Sequence, residues 1–97
     1  MPVCALEVEL HLPAASSLKA KRATIRPIID RVRHRLRLSV GEVGDQDRHH
    51  QARLTIAAVG ATPAQVADQL DRAERLVWSA ADVEVVRCDR VWLETEQ

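Results

Sequence analysis

The apolar residues of this 97-residue chain follow a period of two and then a period near 3.6, and the chain repeats this change of period. Residues 3–12, VCALEVELHL, alternate strictly between apolar and other positions, which is typical of a half-buried strand. An amphipathic helix, two strands joined by a polar turn, a second helix and a last strand follow. The order strand–helix–strand in each half restricts the chain to a few α+β arrangements.

Local signals place the ends of these elements. The first helix is predicted between Ser16 and Arg37, with a kink but no break at Pro27, because that proline lies opposite the apolar stripe. Strands are predicted at residues 38–43 and 52–59. A capping box with Pro63 at the first helical position starts the second helix, which is expected to end near Ala80. The last strand is predicted at residues 82–94, and the tail after Glu94 is expected to fray.

These elements form one domain, residues 1–97, since the length leaves no room for a second core. Their simplest packing is a ferredoxin-like βαββαβ sandwich of the α+β class. It has a four-stranded antiparallel sheet in the order 4-1-3-2, with both helices on one face. Every apolar face then finds a partner in one core, predicted to contain Leu6, Val8, Leu10, Ile25, Ile29, Val32, Leu54, Ile56, Leu70 and Val77.

Positive charge is concentrated on the first helix. Residues 17–37 contain eight lysines and arginines and one aspartate, although the net charge of the whole chain is zero. The first turns carry Lys19, Lys21 and Arg22, where the helix dipole disfavours cations. Serine hydroxyls, free amides and cations together suit a phosphate group. We therefore predict a nucleic-acid-binding ridge, with a solvated charged face as the alternative, made of Ser17, Lys19, Lys21, Arg22, Arg26 and Arg33.

RNA or a ribosomal particle is the predicted partner of this ridge. The chain contains no Phe or Tyr and only two tryptophans, so contacts to the RNA backbone are favoured over base stacking. Replacing Lys19, Lys21 and Arg22 together by Gln is expected to weaken RNA binding while leaving the thermal midpoint nearly unchanged or raised. The alternative function is a homodimeric interaction or regulatory module that uses the open sheet face, a free strand edge or the surroundings of Trp78 and Trp92.

Other chemistry is weakly indicated. The acidic and histidine residues of the turn at residues 45–50 lack the spacing of known metal motifs, so a solvated turn is favoured over a metal site. No nucleophile and base converge in the sequence, and we expect neither an enzyme nor a cofactor. Cys4 and Cys88 are expected to be buried and reduced on neighbouring strands, which would allow the thiols to lie close without a bond.

No segment has the length and apolarity of a membrane span or the pattern of a cleaved leader, so a cytoplasmic location is expected. The segments ALEVELHLPAASSLKAKR, IIDRVRHRLRLSVGEV and QD before ARLTIAAV resemble the YlxP-like family, the domain of unknown function numbered 503. The resemblance covers residues 3–93. It implies a small ferredoxin-like bacterial protein of the cytosol, without established activity, often encoded beside ribosome-binding factor A and translation initiation genes. Where family members commonly have a bulky apolar or aromatic residue after the QD pair, this chain has Arg48, His49 and His50.

Overall fold

A computed structural model describes residues 1–93, which form six elements in the predicted order. Glu94 and the tail, where fraying is expected, lie outside the described residues. The elements are β1 (Val3–His11), α1 (Leu18–His34), β2 (Ser39–Glu42), β3 (Gln51–Val59), α2 (Pro63–Trp78) and β4 (Glu84–Leu93). The helix α1 continues through Pro27, and α2 ends two residues before the predicted Ala80.

The four strands form one antiparallel sheet in the order β2-β3-β1-β4, which is the predicted order read from the other edge. The central strand β1 pairs along its whole length with β3, from Val3 opposite Val59 to His11 opposite Gln51. It also pairs with β4, where the register shifts between Glu9 and Leu10. The α+β ferredoxin-like fold predicted from the hydrophobic pattern is confirmed.

One face of the sheet and the inner faces of both helices enclose a single core. Nine of the ten predicted core residues are buried within it. The exception is Ile29, which packs at the edge of the core while its neighbour Ile28 is buried. The opposite sheet face is uncovered in the described part of the chain, with side chains such as Glu7 and Arg53 exposed.

Candidate nucleic-acid interface

Ser17 caps α1. Its Oγ accepts a hydrogen bond from the amide of Ala20 at 3.0 Å, and its backbone is extended, as an N-cap requires. The side chain is exposed. The hydroxyl of Ser17, which was predicted to contact a phosphate, is therefore already hydrogen-bonded to the backbone. The first role of Ser17 is to start the helix.

Lys21 is not part of the surface, contrary to the prediction. Only 1% of the residue is exposed. Its Nζ donates to the carbonyl oxygens of Asp45 and Arg48, the latter at 2.8 Å, and lies 2.9 Å from Oε2 of Glu42. A buried ammonium is tolerated when it is hydrogen-bonded and paired with a carboxylate in this way. Lys21 therefore holds the loop between β2 and β3 and is unavailable to RNA.

Further contacts fix the same loop. Arg53 Nε lies 3.0 Å from Oδ2 of Asp45, which has a positive φ of 53°. Gly44, just before it, has a φ of 71°, so two left-handed residues turn the chain back toward α1. Nδ1 of His49 donates to the carbonyl oxygen of Ala15 at 2.9 Å. The loop is thus bonded to the start of α1 and to the segment that precedes it.

The loop residues considered as metal ligands do not converge. His49 and His50 each contact a backbone carbonyl oxygen of the β1–α1 connection, at 2.9 and 3.4 Å. Within residues 1–93, no three His, Cys, Asp or Glu side chains are placed to share a metal ion. The loop side chains instead make structural hydrogen bonds.

Three of the predicted cations, Arg22, Arg26 and Arg33, lie together. They line an open groove of about 340 Å³ between α1 and β2, which we call the arginine groove. All three are exposed, and none has a carboxylate within 4.0 Å in the described part of the chain. Nη2 of Arg33 donates a hydrogen bond to the carbonyl oxygen of Val40 at 3.0 Å. Lys19 is exposed near the start of the same helix.

Two carboxylates also line the arginine groove, from Asp30 and Glu42. Glu42 is already paired with the buried Lys21, so its charge is compensated within the fold. Asp30 is exposed and has no cationic partner among residues 1–93. Three guanidinium groups against one uncompensated carboxylate leave the arginine groove with a positive surplus.

The cysteines differ from the prediction. Cys4 is buried, but Cys88 is only half-buried, and both are free thiols. Cys88 pairs with Val8 and not with Cys4, so the two thiols are four residues out of register, or about 13 Å apart. Burial and the carboxylate of Glu74, which accepts a hydrogen bond from the thiol, raise the pKa of Cys88 to about 11. The prediction that the two thiols could lie close together is therefore wrong. It correctly placed the two cysteines on neighbouring strands, but strand order alone does not determine which residues lie opposite each other.

On β4, Arg90 joins the sheet to α2. Its guanidinium lies 2.6 Å from Oδ1 of Asp71 and 3.2 Å from Oε1 of Glu74. The hydrogen bond to Asp71, followed by that to Glu74, raises the pKa of Arg90 against the opposing effect of burial. This cluster carries a net negative charge and lies at the opposite edge of the sheet from the arginine groove.

No helix within residues 1–93 combines the length and the apolar character needed to cross a bilayer. Residues 3–90 match the family described as "Protein of unknown function (DUF503)". The chain is 33% identical over 78 residues to the "Uncharacterized protein YlxP" of Bacillus subtilis (strain 168), a match that covers 80% of this chain and 85% of the relative. A de novo designed protein with a ferredoxin fold, solved by solution NMR, superposes with a TM-score of 0.53 at 13% identity, over 98% of this chain and 88% of the design.

Proposed function

The chain belongs to the DUF503 family of proteins of unknown function, and we propose that it binds the phosphate backbone of structured RNA as an accessory factor of the ribosome or of translation. The observation that carries this proposal is the arginine groove, in which three exposed guanidinium groups lie side by side without carboxylate partners in residues 1–93. Guanidinium groups bind phosphate oxygens with paired hydrogen bonds. The groove thus has the chemistry of a phosphate-binding surface.

The spacing of the three arginines suits an extended polyanion. At about 1.5 Å per residue, Arg26 lies about 6 Å along the axis of α1 from Arg22, and Arg33 about 10 Å further. On the helical wheel the three lie within about 40° of one another. A row of this length can contact more than one phosphate, whereas a single small anion would use only part of it.

Recognition in this proposal depends on RNA backbone and shape. The only tryptophans, Trp78 and Trp92, belong to α2 and β4, away from the arginine groove. Without tryptophan, tyrosine or phenylalanine beside the cations, contacts to phosphate and ribose are favoured over stacking on aromatic side chains. We therefore expect little dependence on RNA sequence.

The proposed role is binding and not catalysis. A thiol and a carboxylate meet at Cys88 and Glu74, but there the pKa of the thiol is raised to about 11. A nucleophilic cysteine needs a lowered pKa, so this contact works against thiolate chemistry at neutral pH. It is better explained as part of the packing between β4 and α2.

The test is a titration of a fluorescent RNA hairpin at several salt concentrations, read by anisotropy. The variant Arg22→Gln/Arg26→Gln removes two charges from the arginine groove, and the matched control Arg72→Gln/Arg75→Gln removes two from the exposed side of α2. Removing one cation that binds a phosphate lowers the slope of log K against log salt by about 0.7 to 0.9. The slope for the groove variant should therefore be smaller by about 1.4 to 1.8.

Arg33 is left unchanged in this experiment because it also bonds to β2. The control pair should retain the affinity and slope of the parent. Equal weakening by both pairs would show that binding follows overall charge alone, and parent protein without salt-dependent RNA binding would contradict the proposal.

A further inference from the structure

The strand β4 has an unpaired outer edge. It contains ten residues and pairs only with β1 among the residues described, whereas the other edge strand, β2, contains four. Edge strands are usually protected by shortness, by charged side chains, by Pro or by a bulge. β4 contains no Pro, and its register shift lies near its beginning, before Arg87. Its exposed charges Arg87 and Asp89 have opposite signs, so they can match a strand with the complementary pattern. The outer edge of β4 is therefore open to pairing with another strand.

Exposed apolar side chains collect along this edge. On β4, Val86 is 61% exposed, Val91 51%, Leu93 59% and Trp92 41%. Isolated apolar residues on a surface are common, but a row of them on an unpaired strand marks a site of association. The row indicates a partner that presents an extended strand.

Trp78 lies beside the same edge and is 61% exposed. It follows Glu74 by one helical turn and Asp71 by two, and both of those side chains contact Arg90 of β4. Trp78 therefore lies on the side of α2 that faces β4. Because only five residues separate it from Glu84, it lies near the beginning of β4, while Trp92 lies near the end.

We propose that β4 pairs antiparallel with β4 of a second copy of this chain, about a two-fold axis at Cys88. Directly opposed residues of an antiparallel pair point to the same face, so a two-fold axis must pass through a residue that faces its own copy. An axis at Cys88 sets Arg87 opposite Asp89 of the second copy, and Asp89 opposite Arg87. Within one chain Arg87 and Asp89 already form an exposed ion pair, with Nε 3.4 Å from Oδ2, so the arrangement exchanges these two internal pairs for two pairs between the copies on the open face of the sheet.

Neighbouring axes lack this complementarity. With the axis at Asp89, the two Asp89 carboxylates would oppose each other. With the axis at Arg90, the two Arg90 guanidinium groups would oppose each other. Like charges in directly opposed positions are unfavourable. Charge complementarity thus selects Cys88.

The same axis covers both tryptophans. Antiparallel pairing brings the end of one β4 to the beginning of the other, so Trp92 of each copy approaches Trp78 of its partner. Both lie on the helical face of the sheet, because Trp92 pairs with the core-facing Cys4. Aromatic residues are enriched at the centres of interfaces. Zero net charge removes long-range repulsion between copies.

Charge exchange tests this dimer. Sedimentation velocity at increasing concentration is measured for the parent, Arg87→Asp, Asp89→Arg, the double exchange, and the control Arg26→Asp on α1. Each single reversal places like charges opposite each other twice and should weaken dimerisation at least about tenfold. The double exchange restores opposite charges and should recover the dimer, and the control should match the parent. Circular dichroism verifies that every variant is folded.

Cys88 reports the position of the axis. At a two-fold axis its Cα would lie about 4.5 to 5.5 Å from that of its copy, within the range of a disulfide. Diamide should therefore join the two Cys88 thiols, taking up their two hydrogens, in the parent and in Cys4→Ser but not in Cys88→Ser. A monomeric parent at high micromolar concentration, a dimer indifferent to both single reversals, or a dimer that diamide still links in Cys88→Ser would overturn the proposal.

Discussion

The substitution Lys21→Met tests whether one buried ammonium holds the loop between β2 and β3. Methionine retains most of the apolar stem but removes the group whose Nζ contacts two carbonyl oxygens and Oε2 of Glu42. The carboxylate of Glu42 then remains without its partner, and two carbonyl oxygens lose a donor. Removing one member of a buried ion pair typically costs about 3 to 5 kcal/mol.

The lower end of that range applies here, because 20% of the Glu42 side chain is exposed and water can reach it. We expect the free energy of unfolding to fall by about 3 kcal/mol. A domain of this size loses about 4 to 8 °C of Tm per kcal/mol, so Tm should fall by about 12 to 24 °C.

Urea unfolding followed by circular dichroism measures the effect. The matched control is Lys19→Met, which removes an exposed lysine two residues away and should change the stability by less than about 0.5 kcal/mol. Adding Glu42→Gln to Lys21→Met removes the stranded charge and should recover part of the loss. A loss below about 1 kcal/mol for Lys21→Met would refute this account of the loop.

Three further perturbations have defined outcomes. The pKa of Cys88 is about 11 in the folded state and 9.0 in the unfolded state, so its contribution to stability is complete below pH 9.0 and is lost as the pH rises toward 11. The variant Cys88→Ser should therefore show a smaller loss of stability at alkaline pH in urea melts. Arg90→Met breaks two contacts with α2 and should cost about 1 to 2 kcal/mol by the same assay, whereas Arg72→Met, at an exposed pair, should cost less than about 0.5. Thr62→Ala removes the hydroxyl that accepts from the Gln65 amide and should lower Tm by the equivalent of about 1 kcal/mol.

The fold was predictable because the hydrophobic pattern determines both the type of each element and the face it buries. Alternation along β1 identified the buried positions Leu6, Val8 and Leu10 without any tertiary information. The choice between Ile28 and Ile29 was less determined, because both lie within the apolar stripe of α1 and only packing selects the more deeply buried one.

The candidate site was predicted less well, and Lys21 shows why. Its charge suggested a surface position, yet at 100° per residue it lies about 20° from both Ile28 and Val32, inside the apolar stripe. The sequence therefore contained a signal that Lys21 is buried. It contained no signal for the carbonyl oxygens that Lys21 contacts, 24 and 27 residues further along the chain, because their positions depend on the path of a loop.

The buried position of Lys21 changes the expected behaviour of one variant. From the sequence, replacing Lys19, Lys21 and Arg22 together by Gln should spare the thermal midpoint, but the structure places the second of these residues in the loop network. We now expect the triple variant to lose stability. Its effect on RNA binding would then combine unfolding with the removal of phosphate-binding cations. Arg22 and Arg26 are exposed, so replacing only these two distinguishes a loss of binding from a loss of stability.

The central position of β1 also determines the order of assembly. This strand comes first in the chain, but its pairing partners are β3 and β4, and Val3 meets Leu93 across 90 residues of sequence. Pairs so distant in sequence close slowly, because the entropy of loop closure is lost before the contacts form. During synthesis β1 leaves the ribosome long before β4, and until then one edge of β1 remains unpaired. Of the four strands, the one that is made first therefore gains its second partner last.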